Sequence, residues 1–334
     1  MKKTNSRPNA VLIGIDYKLT MTQWTAEESL NELEELVKTA QLKVVGKIIQ
    51  KREMPDGRHY IGKGKLDELE KIVQEHNAEV IIADDELKPA QIRHLEKRFN
   101  IKIMDRTGIV LDIFAKRAKT HEAKLQVELA QLNYLLPRLT RLWTHLSRLG
   151  GGIGTKGPGE TQLEVDKRLV NNRLKVIKEN LKKVQKTRFQ MKQRRSESTD
   201  ISTAIVGYTN AGKSTLMNRL TQADVYAEDQ LFATLDPTTR KIRLPSNDEV
   251  ILSDTVGFIQ KLPHQLVDAF MSTLEEVVDA DFLIHMVDIS SPKCLEMIET
   301  SQMVLKELNV SHKPQLMVFN KTDNLKDPQI IDYF

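Results

Sequence analysis

The stretch that most constrains this chain is Gly207-Tyr208-Thr209-Asn210-Ala211-Gly212-Lys213-Ser214. It follows the apolar run Thr203–Val206, and a helical pattern begins at Thr215. This is G-x-x-x-x-G-K-[ST] in a strand–loop–helix setting, the arrangement that wraps backbone N–H groups around phosphates. It demands a parallel α/β sheet with the loop at a strand's carboxyl end. In that loop Lys213 reaches the β- and γ-phosphates and the Ser214 hydroxyl ligates Mg²⁺.

Two later motifs fall at suitable distances. Asp254-Thr255-Val256-Gly257 follows the strand-like Val250–Leu252 and reads as D-x-x-G. Its Asp254 carboxylate is placed to hold Mg²⁺, and the Gly257 amide to sense the γ-phosphate. Asn320-Lys321-Thr322-Asp323 follows Leu316–Phe319 and reads as N-K-x-D. The Asp323 carboxylate can accept two hydrogen bonds from guanine N1–H and N2–H₂. Adenine would leave that carboxylate unpaired, which is heavily penalised. Asn320 would tie this loop to the phosphate loop, and the Lys321 stem would cover the base. Together the three motifs point to guanine-nucleotide hydrolysis. Between the first two lies Leu231-Phe232-Ala233-Thr234-Leu235-Asp236-Pro237-Thr238-Thr239-Arg240. A switch loop needs a hydroxyl that meets Mg²⁺ and γ-phosphate only in the triphosphate state. Three threonines are available, and composition does not choose among them.

The rest of the chain reads as two further segments, with boundaries expected at 1–118, 119–197 and 198–334. In the first, apolar runs at Ala10–Ile15, Val44–Ile49, Val80–Ala83 and Ile101–Met104 alternate with helical patterns around Ser29–Thr39, Lys65–His76 and Pro89–Phe99. That alternation predicts an N-terminal α/β domain with a mainly parallel sheet. Its loop Gly62-Lys63-Gly64 reads as a plain turn, too thin to argue a second nucleotide site.

In the second segment Leu125, Leu129, Leu132, Leu136, Leu139, Trp143 and Leu146 follow a repeating 4-3 step, as do Val170, Leu174, Ile177, Leu181 and Val184. Each stripe keeps one apolar seam on a helix, as in coiled coils. Between them Gly150–Gly159 holds six glycines and Pro158, which no helix can continue. An antiparallel helical hairpin with a Gly-rich tip follows, and Pro137 should kink or break its first helix. From Val165 to Ser196 there are twelve Lys and Arg against Asp166 and Glu179; the remaining 38 basic and 44 acidic residues sum to −6. A basic stripe on one element of an otherwise acidic chain is the footprint of a nucleic-acid surface. The tip, with Lys156, is placed to reach into RNA.

A single cysteine, Cys294, excludes an intramolecular disulfide and a multi-cysteine zinc site. No apolar run approaches the roughly 18 residues of a membrane span, so a cytoplasmic protein is expected.

Here a specific resemblance appears. Phe232-Ala233-Thr234-Leu235-Asp236, the Asp254–Phe258 run D-T-V-G-F, the tip Gly151–Leu163 and Thr120–Leu129 resemble signatures of the HflX family of translation-factor-related GTPases. The likeness spans roughly residues 60–323. It implies an N-terminal α/β domain, a helical hairpin and a P-loop G domain binding GTP or GDP with Mg²⁺. It implies that Gly207 to Thr215, Phe232 to Asp236, Asp254 to Gly257 and Asn320 to Asp323 contact the nucleotide. Ser214, Thr234 and Asp254 are the implied metal ligands, with Lys213, Thr234 and Gly257 as the catalytic groups. Asn210 resembles the position at which related GTPases coordinate K⁺. The implied partner is the large (50S) ribosomal subunit, with hairpin and tip on rRNA. The implied role is splitting or rescue of stalled ribosomes, or subunit assembly, by a monomer.

Two departures qualify that expectation. Phe258 stands where many GTPases place a water-orienting glutamine, which predicts slow intrinsic hydrolysis raised by the ribosome. Only eleven residues follow Asp323, so a C-terminally truncated G domain with an exposed sheet edge and weakened guanine affinity is expected. The alternative is an RNA-binding module whose G domain is regulatory or impaired.

Overall fold

The computed structural model describes residues 7–17, 24–139, 162–195, 201–221, 231–261 and 274–325. The chain forms two compact units, one of Met1–Ala115 with Leu125–Lys183, the other of Lys116–Lys124 with Val184–Phe334.

In the first unit four parallel strands, β1 (Asn9–Tyr17), β2 (Lys43–Arg52), β3 (Val80–Ala83) and β4 (Lys102–Asp105), lie in the order β2-β1-β3-β4. Parallel strands covered on both faces read as continuous apolar runs, and all four residues of β3 are buried. Helix α1 (Ala26–Thr39) starts at a capping box: the Thr25 side chain accepts from the Glu28 N–H, and Glu28 returns to the Thr25 N–H. Its Leu30, Leu33, Leu36 and Val37 are buried at helical spacing, each contributing on the order of 2 kcal/mol by leaving water. Helices α2 (Lys63–Glu75) and α3 (Pro89–Phe99) complete the expected alternation. Gly62 lies at the start of α2, its N–H donated to Gln50 Oε1.

Helix α4 (Arg106–Arg117) was not anticipated. It is buried on most of its circumference from Arg106 to Phe114, so its apolar run shows no one-faced period.

Helix α5 (His121–Leu135) passes into the first unit at Leu125 and ends where expected, giving way at Pro137 to a short 3₁₀ turn, Leu136–Arg138. Helix α6 (Gln162–Arg195) returns alongside it. Leu125, Leu132 and Leu139 pack with Val170, Leu174 and Ile177 in one cluster, and Arg173 pairs with Glu128 at 2.6 Å. Trp143, Leu146 and the Gly-rich tip lie outside the described residues. No described helix is long and apolar enough to cross a membrane.

The second unit holds a five-stranded sheet of β5 (Ile201–Gly207), β6 (Thr238–Arg243), β7 (Glu249–Asp254), β8 (Phe282–Asp288) and β9 (Gln315–Asn320). Its order is β6-β7-β5-β8-β9, with only β6 antiparallel. Helices α7 (Lys213–Thr221), α8 (Glu275–Asp279) and α9 (Cys294–Glu307) accompany it. Strand β5 lies between β7 and β8, so the carboxyl ends of β5, β7 and β9 open on one side. Loops there are where open α/β sheets bind ligands. Strand β9 ends the described sheet, with Leu316 52% exposed.

Candidate nucleotide site

All three motifs sit at those carboxyl ends: Gly207 closes β5, Asp254 closes β7 and Asn320 closes β9. The backbone must turn sharply out of β5. Gly207 has φ +139°, and a Cβ there would meet the Met286 carbonyl at 2.2 Å. Only glycine fits. A cleft opens beyond it, lined from the phosphate loop by Thr209, Asn210, Gly212, Lys213, Ser214 and Thr215. Its other walls are Phe232, Ala233, Thr234, Thr255 and Gly257. The first three motif groups thus converge on one concavity.

Lys213 is buried, and its Nζ donates to the carbonyls of Tyr208 at 2.7 Å and Gly207 at 3.1 Å. Burial lowers its pKa to about 8, against the opposing pull of Asp254. A desolvated ammonium held by two carbonyls gains strongly from an arriving phosphate.

The three implied metal ligands are also together. Ser214 Oγ lies 2.7 Å from Thr234 Oγ1, and Asp254 Oδ2 accepts from Ser214 at 2.6 Å and from Thr234 at 3.0 Å. Adjacent oxygens of an octahedral Mg²⁺ shell are about 2.9 Å apart, for metal–oxygen bonds near 2.05 Å. The other carboxylate oxygen, Asp254 Oδ1, is buried without a hydrogen-bond partner. Burial pushes the Asp254 carboxyl up, against the hydroxyls and Lys213 that pull it down. Two hydroxyls, an underpartnered carboxylate and this spacing fit Mg²⁺.

The geometry separates Thr234 from the other two threonines of the switch loop: Thr238 and Thr239 lie in β6, and the Thr239 hydroxyl bonds Ser253. It also sorts the expected contact residues by position. Leu235 is buried and Asp236 turns its carboxylate onto Lys119 and Thr120, so neither lines the cleft. Tyr208 likewise faces inward, its hydroxyl accepting from the Gln260 N–H at 2.8 Å.

The guanine motif connects to this cleft through Asn320, whose Nδ2 donates to the Ala211 carbonyl at 2.9 Å. Lys321 pairs with Asp288 at 2.9 Å, a partner the sequence did not suggest. Asp323 is exposed in a short 3₁₀ turn. Also missed was a parallel bridge between the phosphate loop and the D-x-x-G turn. Phe258 N–H donates to the Gly207 carbonyl at 3.0 Å, and Thr209 N–H to the Phe258 carbonyl at 2.7 Å. Phe258 itself is buried, 1% exposed, so it is a strut rather than a water-orienting group.

Comparison with known proteins places this geometry. Residues 27–115 match the model "GTP-binding GTPase N-terminal", 117–195 "GTP-binding GTPase Middle Region", and 202–321 "50S ribosome-binding GTPase". GTPase HflX of Caldanaerobacter subterraneus subsp. tengcongensis is 56% identical over 90% of this chain and 70% of the relative. GTPase HflX of Escherichia coli K12 is 48% identical over 95% of this chain and 74% of the relative. The chain belongs to the HflX family of GTPases. As an HflX-family protein it binds and hydrolyses GTP.

Among solved structures, the SsGBP–GDP complex aligns with a TM-score of 0.55 and 27% identity, over 97% of this chain and 86% of that one. A GTP-binding protein from Sulfolobus solfataricus with GDP aligns at 0.50 and 27%, over 96% and 84%. This chain thus carries the three family models in order along its length and shares its fold with these GTP-binding proteins.

Proposed function

We propose that the chain is a GTP-driven switch on the large ribosomal subunit, working in splitting or rescue of stalled ribosomes or in subunit assembly. The observation that carries the reading is the meeting of Ser214, Thr234 and Asp254 within 3.0 Å. Ser214, Thr234 and Asp254 would together hold Mg²⁺, and Thr234 is the one of the three that stands in the switch loop, where the γ-phosphate would decide whether it stays. Bound Mg²⁺ would neutralise charge on the phosphates. Lys213 holds the β- and γ-phosphates, and Gly257 presents its amide to the γ-phosphate.

The partner follows from charge. Lys167, Arg168, Lys175, Lys178, Lys182 and Lys183 of α6 are all exposed. A row of cations on one long helix suits a phosphate backbone. The functional division is three-part, with boundaries at 118 and 197, the middle segment and its Gly-rich tip serving as the rRNA arm. The setting is cytoplasmic, and the protein acts as a monomer.

Hydrolysis is slow until the ribosome orders the switch loops, because the buried Phe258 offers no hydrogen bond to water. Asn210, on the cleft wall, is the candidate K⁺ ligand, and turnover in K⁺ against Na⁺ tests it. The central test is sedimentation with 50S and 70S particles. Tight binding with a non-hydrolysable GTP analogue and weak binding with GDP is expected. Equal binding in every nucleotide state would instead make the chain an RNA-binding module with an impaired or regulatory G domain.

A further inference from the structure

Asp236 is the third residue of the run that begins at Thr234, and its carboxylate is engaged outside the cleft lining. Its Oδ2 accepts from the backbone N–H of Lys119 at 2.7 Å and of Thr120 at 3.3 Å, while its Oδ1 takes the Thr120 hydroxyl. Thr120 is the residue that starts helix α5. Its Oγ1 accepts from the Ala123 N–H at 3.1 Å and its carbonyl from the Lys124 N–H at 3.1 Å. One carboxylate therefore holds the N-cap of the hairpin's first helix from outside. Asp236 adds negative charge where a helix start presents free N–H groups, which is favourable.

The link between Thr234 and this clasp is short and stiff. Only Leu235 separates them, and it is 2% exposed. Two residues span at most about 7 Å, so a movement of Thr234 has no slack in which to be absorbed. In the arrangement seen, Thr234 is drawn onto Ser214 and Asp254 and Asp236 is on Thr120 at the same time.

We propose that Asp236 is a positioning residue that couples nucleotide state to helix α5. The clasp is closed when Thr234 is held at the cation site and opens when the diphosphate state lets Thr234 go. The segment Lys119–Lys124 is then the first part of the helical arm to report the nucleotide. This rests on Thr234 being the switch hydroxyl of the proposed GTP cycle.

The test is hydrogen exchange on the full chain in Mg²⁺, read by mass spectrometry in peptides covering 119–126 and the phosphate loop. GDP and a non-hydrolysable GTP analogue are each added to a level that protects the phosphate loop in every variant. Amides from Lys119 to Lys124 should exchange about tenfold more slowly with the analogue than with GDP, the scale of one or two lost hydrogen bonds. Asp236→Ala should abolish that difference, and Asp236→Asn, which keeps one carbonyl acceptor, should recover part of it. Thr120→Val, which leaves the switch loop untouched, should reduce it and serves if Asp236→Ala does not fold. A difference that survives in Asp236→Ala, or in Thr120→Val at full size, overturns the coupling. So does its absence from the unsubstituted chain while the phosphate loop is protected. Failure of both nucleotides to protect the phosphate loop would overturn the GTP reading itself.

Discussion

Gly212 offers a quantitative test of how the phosphate loop and the guanine motif are joined. Its φ is +97°, and a Cβ placed there would lie 2.1 Å from Asn320 Nδ2, the atom that donates to the Ala211 carbonyl at 2.9 Å. Gly212→Ala therefore incurs two penalties. Left-handed backbone costs a residue with a Cβ about 1–2 kcal/mol. Displacing Asn320 removes a hydrogen bond worth about 0.5–1.5 kcal/mol. The sum, about 1.5–3.5 kcal/mol, predicts a roughly 10- to 300-fold loss of guanine-nucleotide affinity. Titration with fluorescent GDP measures it directly, with Gly64→Ala as control because a Cβ at Gly64 meets nothing within 4 Å. If part of the loss runs through Asn320, adding Asn320→Ala to Gly212→Ala should cost less than it does alone. Affinity within threefold of the parent, or strictly additive losses in the double-substituted chain, would refute the argument.

Three further outcomes follow from other parts of the molecule. Thr234→Ala removes one hydroxyl of the cation set, and should erase most of the preference for a GTP analogue over GDP in Mg²⁺ titrations while leaving GDP binding nearly intact. His285 is buried in β8, and desolvation lowers its pKa from 6.5 to about 4, with Lys213 adding repulsion. Between those values the unfolded chain takes up a proton that the folded chain does not. Stability should therefore fall as pH drops from 6.5 toward 4, by about 3 kcal/mol in all, and His285→Gln should flatten that slope in urea titrations. Arg106, 2% exposed, pairs with the part-buried Glu32 at 2.6 Å and the buried Asp84 at 2.5 Å, so Arg106→Met takes the cation from both carboxylates. A loss of about 3–5 kcal/mol in chemical denaturation is expected, and a loss under 1 kcal/mol would contradict the pairing.

What could be read in the residues, and what could not, divides on physical lines. The phosphate loop was legible because wrapping phosphates requires glycines and Lys213 at fixed offsets within eight residues. The α5–α6 seam was legible because a 4-3 apolar step has only one structural meaning over several turns. Helix α4 escaped because burial on nearly all sides leaves no polar face to mark its period. The bridge from Thr209 to Phe258, the Lys321–Asp288 pair and the Asp236 clasp escaped for a different reason. Each joins residues distant in sequence, 116 positions apart for Asp236 and Thr120, and no local pattern encodes such a pairing. Asp236 shows the consequence most clearly. By its place in the run Phe232–Asp236 it reads as a nucleotide contact, yet its carboxylate is spent on the start of another helix. Motifs specify what each loop can hold; how a change in one loop reaches another element is written in contacts between them. A nucleotide switch works only through such contacts, so the chemistry of this site was visible in the sequence while the path by which it could act on the helical arm was not.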